Sequence, residues 1–153
     1  MFSRTRTALL ACTLVLASTA HAQHHAPPQP DTAQVLAQLR RGIHARSPTE
    51  ITVTAAARDL LLEHGMEILA THSEAHREGG RVVGLVLSGF AHASMQGLLG
   101  LRVGDELRRV GGTDVTTPDG ALLAYTRLRN ASTVDVDIVR AGAPLTLHYH
   151  LLP

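Results

Sequence analysis

The sequence predicts an α+β domain: a small, partly open β-barrel of five to six strands flanked by two helices. Three observations carry that expectation. Short β-rich runs alternate with two longer helical stretches between Thr49 and Pro153. Two glycines, Gly100 and Gly104, bracket a short coil that leads into a strand. The last twenty residues hold two runs of strict apolar–polar alternation joined at Ala141-Gly142, which is the pattern of a hairpin with one wet face.

Taken in order, Thr49–Thr54 (TEITVT) is β-rich, with Ile51 and Val53 alternating. Thr54 opens a helix over Ala55–Leu62, and Gly65 is expected to end it. Met66–His72 (MEILATH) then extends as a strand, and Arg77-Glu78-Gly79-Gly80 supplies a turn. Arg81–Leu87 (RVVGLVL) is a β-branched run suited to a buried strand. Ala93–Leu99 forms a helical turn that Gly100 terminates, Leu101 enters the core, and Gly104-Asp105 turns the chain into the strand Glu106–Val110. Leu107 and Val110 break strict alternation, so a bulge is expected there. Gly111-Gly112 makes a tight turn. Thr117 and Pro118 are N-cap and first residue of a helix to about Asn130. Val134, Val136 and Ile138, then Leu145, Leu147, Tyr149 and Leu151, form the terminal hairpin.

Before this domain the chain divides in two. Arg4 and Arg6, the apolar run Ala8–Ala17 and the small residues Ala20-His21-Ala22 compose a secretory signal peptide over residues 1–22, cut after Ala22. The run is too short for a membrane anchor, which needs about 20 apolar residues. It is also poorly placed for a lipoprotein box at Cys12. Residues 23–48 comprise a Pro- and His-rich linker, QHHAPPQP, and an amphipathic helix from Asp31. In that helix Val35, Leu36, Leu39 and Ile43 share a face, which suits either packing on the domain's side or docking on a partner. The expected location is periplasmic, with no stable membrane anchor after cleavage.

Composition narrows the chemistry. After cleavage, 12 arginines face 13 acidic residues, and no lysine or cysteine remains. That balance opposes nucleic-acid binding, and the missing thiols remove disulfides and thiolate metal sites. A Ser–Lys dyad is impossible, and Ser47, Ser73, Ser88, Ser94 and Ser132 lack a Gly-x-Ser-x-Gly setting. No catalytic, cofactor or metal residue is therefore assigned, and an uncharacterised hydrolase is the remote alternative. His72 and His76, four apart, raise a histidine-based metal binder as another alternative, but spacing supplies no third ligand beyond Glu74.

Gly100-Leu101-Arg102-Val103-Gly104-Asp105-Glu106-Leu107, followed by Val110-Gly111-Gly112, resembles the signature of bacterial PDZ domains. The fold-signature positions are Gly100, Leu101, Gly104, Asp105 and Gly112. Val103 and Gly111 depart from the usual Pro or Asn and Asn. Over residues 49–153 the chain looks like the periplasmic PDZ domain of the inner-membrane C component of type II secretion systems. It shows neither that component's transmembrane anchor nor its secretin-docking domain, for which residues 31–47 are too short. The resemblance implies a non-catalytic protein-interaction module of the envelope, secretion-associated or standalone, whose partner is an envelope protein or extended peptide segment. Such domains take a peptide as an added strand beside a sheet edge and a helix. By order, the groove would comprise His64, Gly65, Met66, Ile68 and Ala70 with Leu122 and Tyr125. The carboxylate loop would fall at Glu63–Met66, where Glu63 would repel a terminal carboxylate, so an internal strand, or an edge that binds nothing, fits better.

Overall fold

The computed structural model describes the backbone of residues 32–153 and the side chains of 33–64 and 72–153. The expected signal peptide, the linker and the capping role of Asp31 lie outside these residues. Twelve elements follow in order: α1 (Thr32–Gly42), β1 (Ile43–Ala45), β2 (Glu50–Val53), α2 (Ala55–Thr71), β3 (Ser73–Glu78), β4 (Arg81–Leu87), α3 (Met95–Leu98), β5 (Glu106–Val110), β6 (Thr113–Asp114), α4 (Pro118–Leu128), β7 (Thr133–Arg140) and β8 (Ala143–Leu151). Seven strands run in the order β1-β2-β8-β7-β5-β4-β3, and β6 pairs with β5 off that path. The sheet is mixed: β2 pairs with β8 in parallel and the other neighbours are antiparallel. β1 and β3 stand at its two ends, so the barrel stays open, as an α+β fold of this kind was expected to be.

Sequence chemistry explains most of these bounds. Thr117 Oγ1 accepts from Gly120 N–H and Pro118 begins α4, so cap and first helical residue match their preferences. The expected bulge appears as a register shift between Leu107 and Arg109. Gly100 and Gly104 hold φ of +76° and +90°, a region L side chains rarely adopt, which lets α3 stop and the chain double back into β5. Two short strands, β1 and β6, exceed the expected five to six.

α1 belongs to the domain rather than standing apart from it. Val35, Leu39 and Ile43 are buried in the same core cluster as Ile51, Val53, Ala57, Leu107, Ile138 and Leu147. Ile43 does so from β1, not from the helix, which ends at Gly42. A side chain at Gly42 would collide with Thr54 and Ala57, so glycine permits α1 to close on the start of α2.

One expectation fails. Met66–His72 is not an edge strand: α2 runs unbroken through Gly65 to Thr71, and the strand that follows is Ser73–Glu78. Internal glycine costs a helix only about 1 kcal/mol relative to alanine. Met66, Glu67, Leu69 and Ala70 are strong helix formers that outweigh it. His64, Gly65, Met66, Ile68 and Ala70 thus lie on α2, and no carboxylate loop exists at Glu63–Met66.

Candidate functional site

Two polar arrangements and one cavity distinguish this molecule. The first arrangement surrounds Asp105, which is 1% exposed. Its carboxylate accepts from Arg102 N–H at 2.8 Å and from Arg140 Nε and Nη2 at 2.8 and 2.7 Å. Arg140 Nη2 also donates to the Gly100 carbonyl at 2.8 Å, and Tyr149 donates its hydroxyl to Leu99 O at 2.7 Å. Asp105 raises the Arg140 pKa through these hydrogen bonds, and burial pushes the Tyr149 phenol above its ordinary range. The fold-signature segment is therefore tied to β7 and β8 by satisfied polar groups. This is architecture: Arg140 Nε and Nη2 and the Tyr149 hydroxyl all find acceptors within the chain.

The second arrangement lies on the outer face of β2, β7 and β8. His148 Nδ1 lies 2.8 Å from Asp135 Oδ1, and His150 Nε2 lies 2.7 Å from Glu50 Oε2. The bond with Asp135 raises the His148 pKa, helped by the charges of Asp135, Glu50 and Asp137. On the other side of the sheet path, His76 Nδ1 sits 3.2 Å from Glu106 Oε2, and Arg108 Nε donates to Oε1 of the same carboxylate at 3.1 Å. Among the described residues no group of three or more His, Cys, Asp or Glu is placed to hold a metal ion. His72 and His76, weighed for that role, do not converge on a third ligand.

The cavity is a different environment. It occupies about 230 Å³, opens to one side, and is walled by α2, α3, α4 and the inner face of the sheet. Leu61 and Leu62 line it from α2, Ala121, Ala124, Tyr125 and Leu128 from α4, and Leu107, Val134 and Val136 from the strands. His72, immediately before β3, also lines it. Packed interiors leave few voids larger than a water molecule. Water is a poor filler, since an ordered molecule needs two to four polar partners and the walls are nearly all apolar.

Two polar side chains in the lining are incompletely paired. Gln96 is 8% exposed, and its Nε2 has no hydrogen-bond partner. Ser94 Oγ already accepts from Gly97 N–H and donates to Gln96 Oε1 at 2.9 Å, which fixes the amide with its NH₂ left over. Arg58 Nε is likewise buried without an acceptor; Asp59 Oδ1 stands 3.6 Å away, within ion-pair range but beyond a good hydrogen bond. Unsatisfied buried donors are rare and call for an explanation.

Of the groove residues expected from sequence, Tyr125 lines this cavity. Leu122 does not: it is 63% exposed and lies outside the lining. His64 lies on α2 with a buried, unpartnered Nε2, outside the lining. The side chains of Gly65, Met66, Ile68 and Ala70 are outside the described set. Sequence reasoning missed Arg58, Leu61, Leu62, Gln96 and Ala124. The one available signal was the scarcity of aromatics, two Phe, two Tyr and no Trp, in a chain that must fill a core. Among the described residues no helix is long and apolar enough to cross a membrane.

Comparison with known proteins gives the following. No protein-family profile and no curated protein matches the chain. Solved structures do. The PDZ domain of EpsC from Vibrio cholerae is 18% identical, over 62% of this chain and 91% of that one, with a TM-score of 0.46. A shorter form of it is 16% identical over 51% and 90%, with a TM-score of 0.40. The PDZ domain of the pullulanase C protein of the type II secretion system from Klebsiella pneumoniae, solved in complex with fatty acid, is 20% identical over 52% and 81%, with a TM-score of 0.38. In fold, this chain is similar to the PDZ domains of type II secretion C components.

Proposed function

We propose that the chain is a non-catalytic interaction module of the bacterial cell envelope that receives an extended segment of a partner along the outer edge of β3. The observation that carries this reading is a conjunction. β3 ends the sheet, and among the described residues it pairs only with β4, leaving one edge without a strand. His72, at its start, lines an apolar cavity whose far wall is α4. Strand addition beside a helix uses backbone hydrogen bonds for affinity and a pocket for selecting a side chain, and these are the two parts present. α2 stands where a carboxylate-binding loop was expected, which favours an internal segment over a chain terminus. The leader-like residues 1–22 support a periplasmic setting. The resemblance over residues 49–153, carried by Glu50-Ile51-Thr52, the Ala-rich helix and Gly79–Leu85, supports a partner in or near the type II secretion machinery. No cofactor or catalytic residue enters this reading.

The test places photo-crosslinking residues at Ala75 and Arg77 on β3 and at Tyr125 on α4, with His44 on β1 and Gly142 at the hairpin tip as controls. In the export host the first three positions should trap one envelope protein that the controls do not. A peptide spanning the trapped segment should then slow amide exchange along β3. Adducts distributed equally over all five positions, or a peptide that leaves β3 exchange unchanged, would remove the reading.

A further inference from the structure

We propose that β3 pairs antiparallel with β3 of a second copy of this chain, so that the free protein closes its own docking edge as a two-fold dimer. Resting on the reading of β3 as the edge that receives a partner, this assigns the occupant that any other partner must displace.

Backbone direction sets which residues can meet. The His72 carbonyl accepts from Ser88 N–H at 2.9 Å, and further along the ladder Glu74 stands opposite Val86 and His76 opposite Gly84. Hydrogen-bonded pairs alternate in an antiparallel ladder, so Glu74 and His76 turn their backbone groups toward β4. Ala75 and Arg77 turn theirs outward. A two-fold axis normal to the sheet keeps every residue on its own face, so odd positions of one copy meet odd positions of the other. With Ala75 opposite Ala75, Glu74 faces His76 of the second copy on both sides of the axis, and no like charges meet. Sliding the strands one way sets Glu74 against Glu74. Sliding them the other way sets Glu74 against Glu78 and His76 against His76. Opposite charges across a pair are stabilising and like charges destabilising, which selects the first register.

The side chains are placed for it. Glu74, Ala75 and Arg77 are exposed, and the His76 side chain is 40% exposed. Glu106 holds His76 through Nδ1, and Gly84 makes room for that carboxylate, since a Cβ there would collide with it. The second ring nitrogen, Nε2, is left for another acceptor. A charged imidazole donates from both nitrogens, and Glu74 across the axis supplies the second carboxylate. Glu74 and His76 fall in the non-hydrogen-bonded pairs, whose Cα atoms lie only about 4.5 Å apart. At the sheet's other end, Ile43–Ala45 holds no acid to meet His44. An overlap of one short strand falls below the ~1,200 Å² of a standard stable interface, so the pairing is reversible and leaves the edge open to competition.

Light scattering of the chain purified from the export host, at pH 6 and from about 10 µM to about 1 mM, should show a monomer–dimer equilibrium. Glu74→Arg and His76→Glu should each weaken it about tenfold or more, by setting like charges face to face. An equimolar mixture of the two variants should associate again, to within about threefold of wild type. In that mixture the introduced arginine meets the introduced glutamate across one pair, and native Glu74 meets native His76 across the other. His44→Glu on β1 should leave the equilibrium unchanged. Thermal melts establish that each variant is folded. Should His76→Glu fail to fold beside Glu106, cysteine crosslinking carries the test. In a Cys12→Ser background, Ala75→Cys lies on the axis and should oxidise to a dimer. Arg77→Cys, whose counterpart lies about 14 Å away along the strands, should not. A chain that stays monomeric throughout, a mixture of folded variants that fails to recover, or crosslinking as ready at Arg77→Cys as at Ala75→Cys would overturn the self-pairing. None of these results touches the docking reading, which the photo-crosslinks to another envelope protein judge separately.

Discussion

The Asp105 node and the α2–α4 cavity differ in how their polar groups are satisfied. At the node, Asp105, Arg140 and Tyr149 are drawn out of water and each finds a partner within 2.8 Å. In the cavity, Gln96 Nε2 and Arg58 Nε are also withdrawn from water, yet neither donor has an acceptor among the described residues. A group that is buried and paired defends the fold. One that is buried and unpaired lowers stability unless something outside the chain completes it. The difference separates a part of this domain whose polar groups complete one another from a part whose donors do not, although both flank the same α3 segment.

Asp105→Ala should have the largest effect. It leaves Arg140, 17% exposed, as an uncompensated charge, and breaking a buried pair in this way costs about 3–5 kcal/mol. Urea denaturation should report a lower midpoint with little change in slope. Should the loss fall within the range of a surface substitution, the node is not structural and the contrast fails. Tyr149→Phe strands the Leu99 carbonyl and should cost about 1–2 kcal/mol in the same assay. It should also change the alkaline limb. The phenol's pKa is raised in the folded state, so its contribution is complete below the unfolded value near 10 and fades as pH climbs past it. Wild type should therefore lose stability above that pH more steeply than Tyr149→Phe.

Val136→Ile probes the other region. Adding a methylene to a filled core usually costs about 1–3 kcal/mol. Here it should stabilise by up to ~0.8 kcal/mol, because Val136 faces the apolar cavity rather than close-packed neighbours. A lower melting temperature would mean that the space is not there to be filled. The smallest effect belongs to the outer face. His148 is half-exposed, and its pKa is raised by the hydrogen bond with Asp135. Any stability that pair lends is present below the unfolded histidine value near 6.5 and lost as pH rises through the raised folded value. Comparing wild type with His148→Gln between pH 5 and 9 should show a slight difference at the acid end that vanishes at the alkaline end.

Much of the fold was legible because local chemistry and tertiary structure agree. Arg81–Leu87 and Glu106–Val110 are apolar-patterned strands between glycine turns, and Thr117-Pro118 is a helix start by itself. The failures have a common cause. Apolar periodicity attracted the strand assignment to MEILATH, whereas the strand is the polar segment Ser73–Glu78, whose position at the sheet's end lets charged residues face water. Gly65 resembled a helix terminator, yet nothing after it enforces a left-handed stop. The cavity was illegible for a different reason. Volume left over between α2, α4 and the sheet depends on how elements are spaced, and no single residue announces it. Gln96 carries no mark in the sequence; burial within a four-residue helix made it conspicuous.

Xenon is the most direct probe of the claim on which binding rests, since apolar cavities of this size take it up. Under a few atmospheres of xenon, the methyl resonances of Leu61, Leu128 and Val136 should shift saturably while those of Val139 and Leu145 stay still. Uniform small drifts across all five, with no saturation, would show that no such cavity exists in solution.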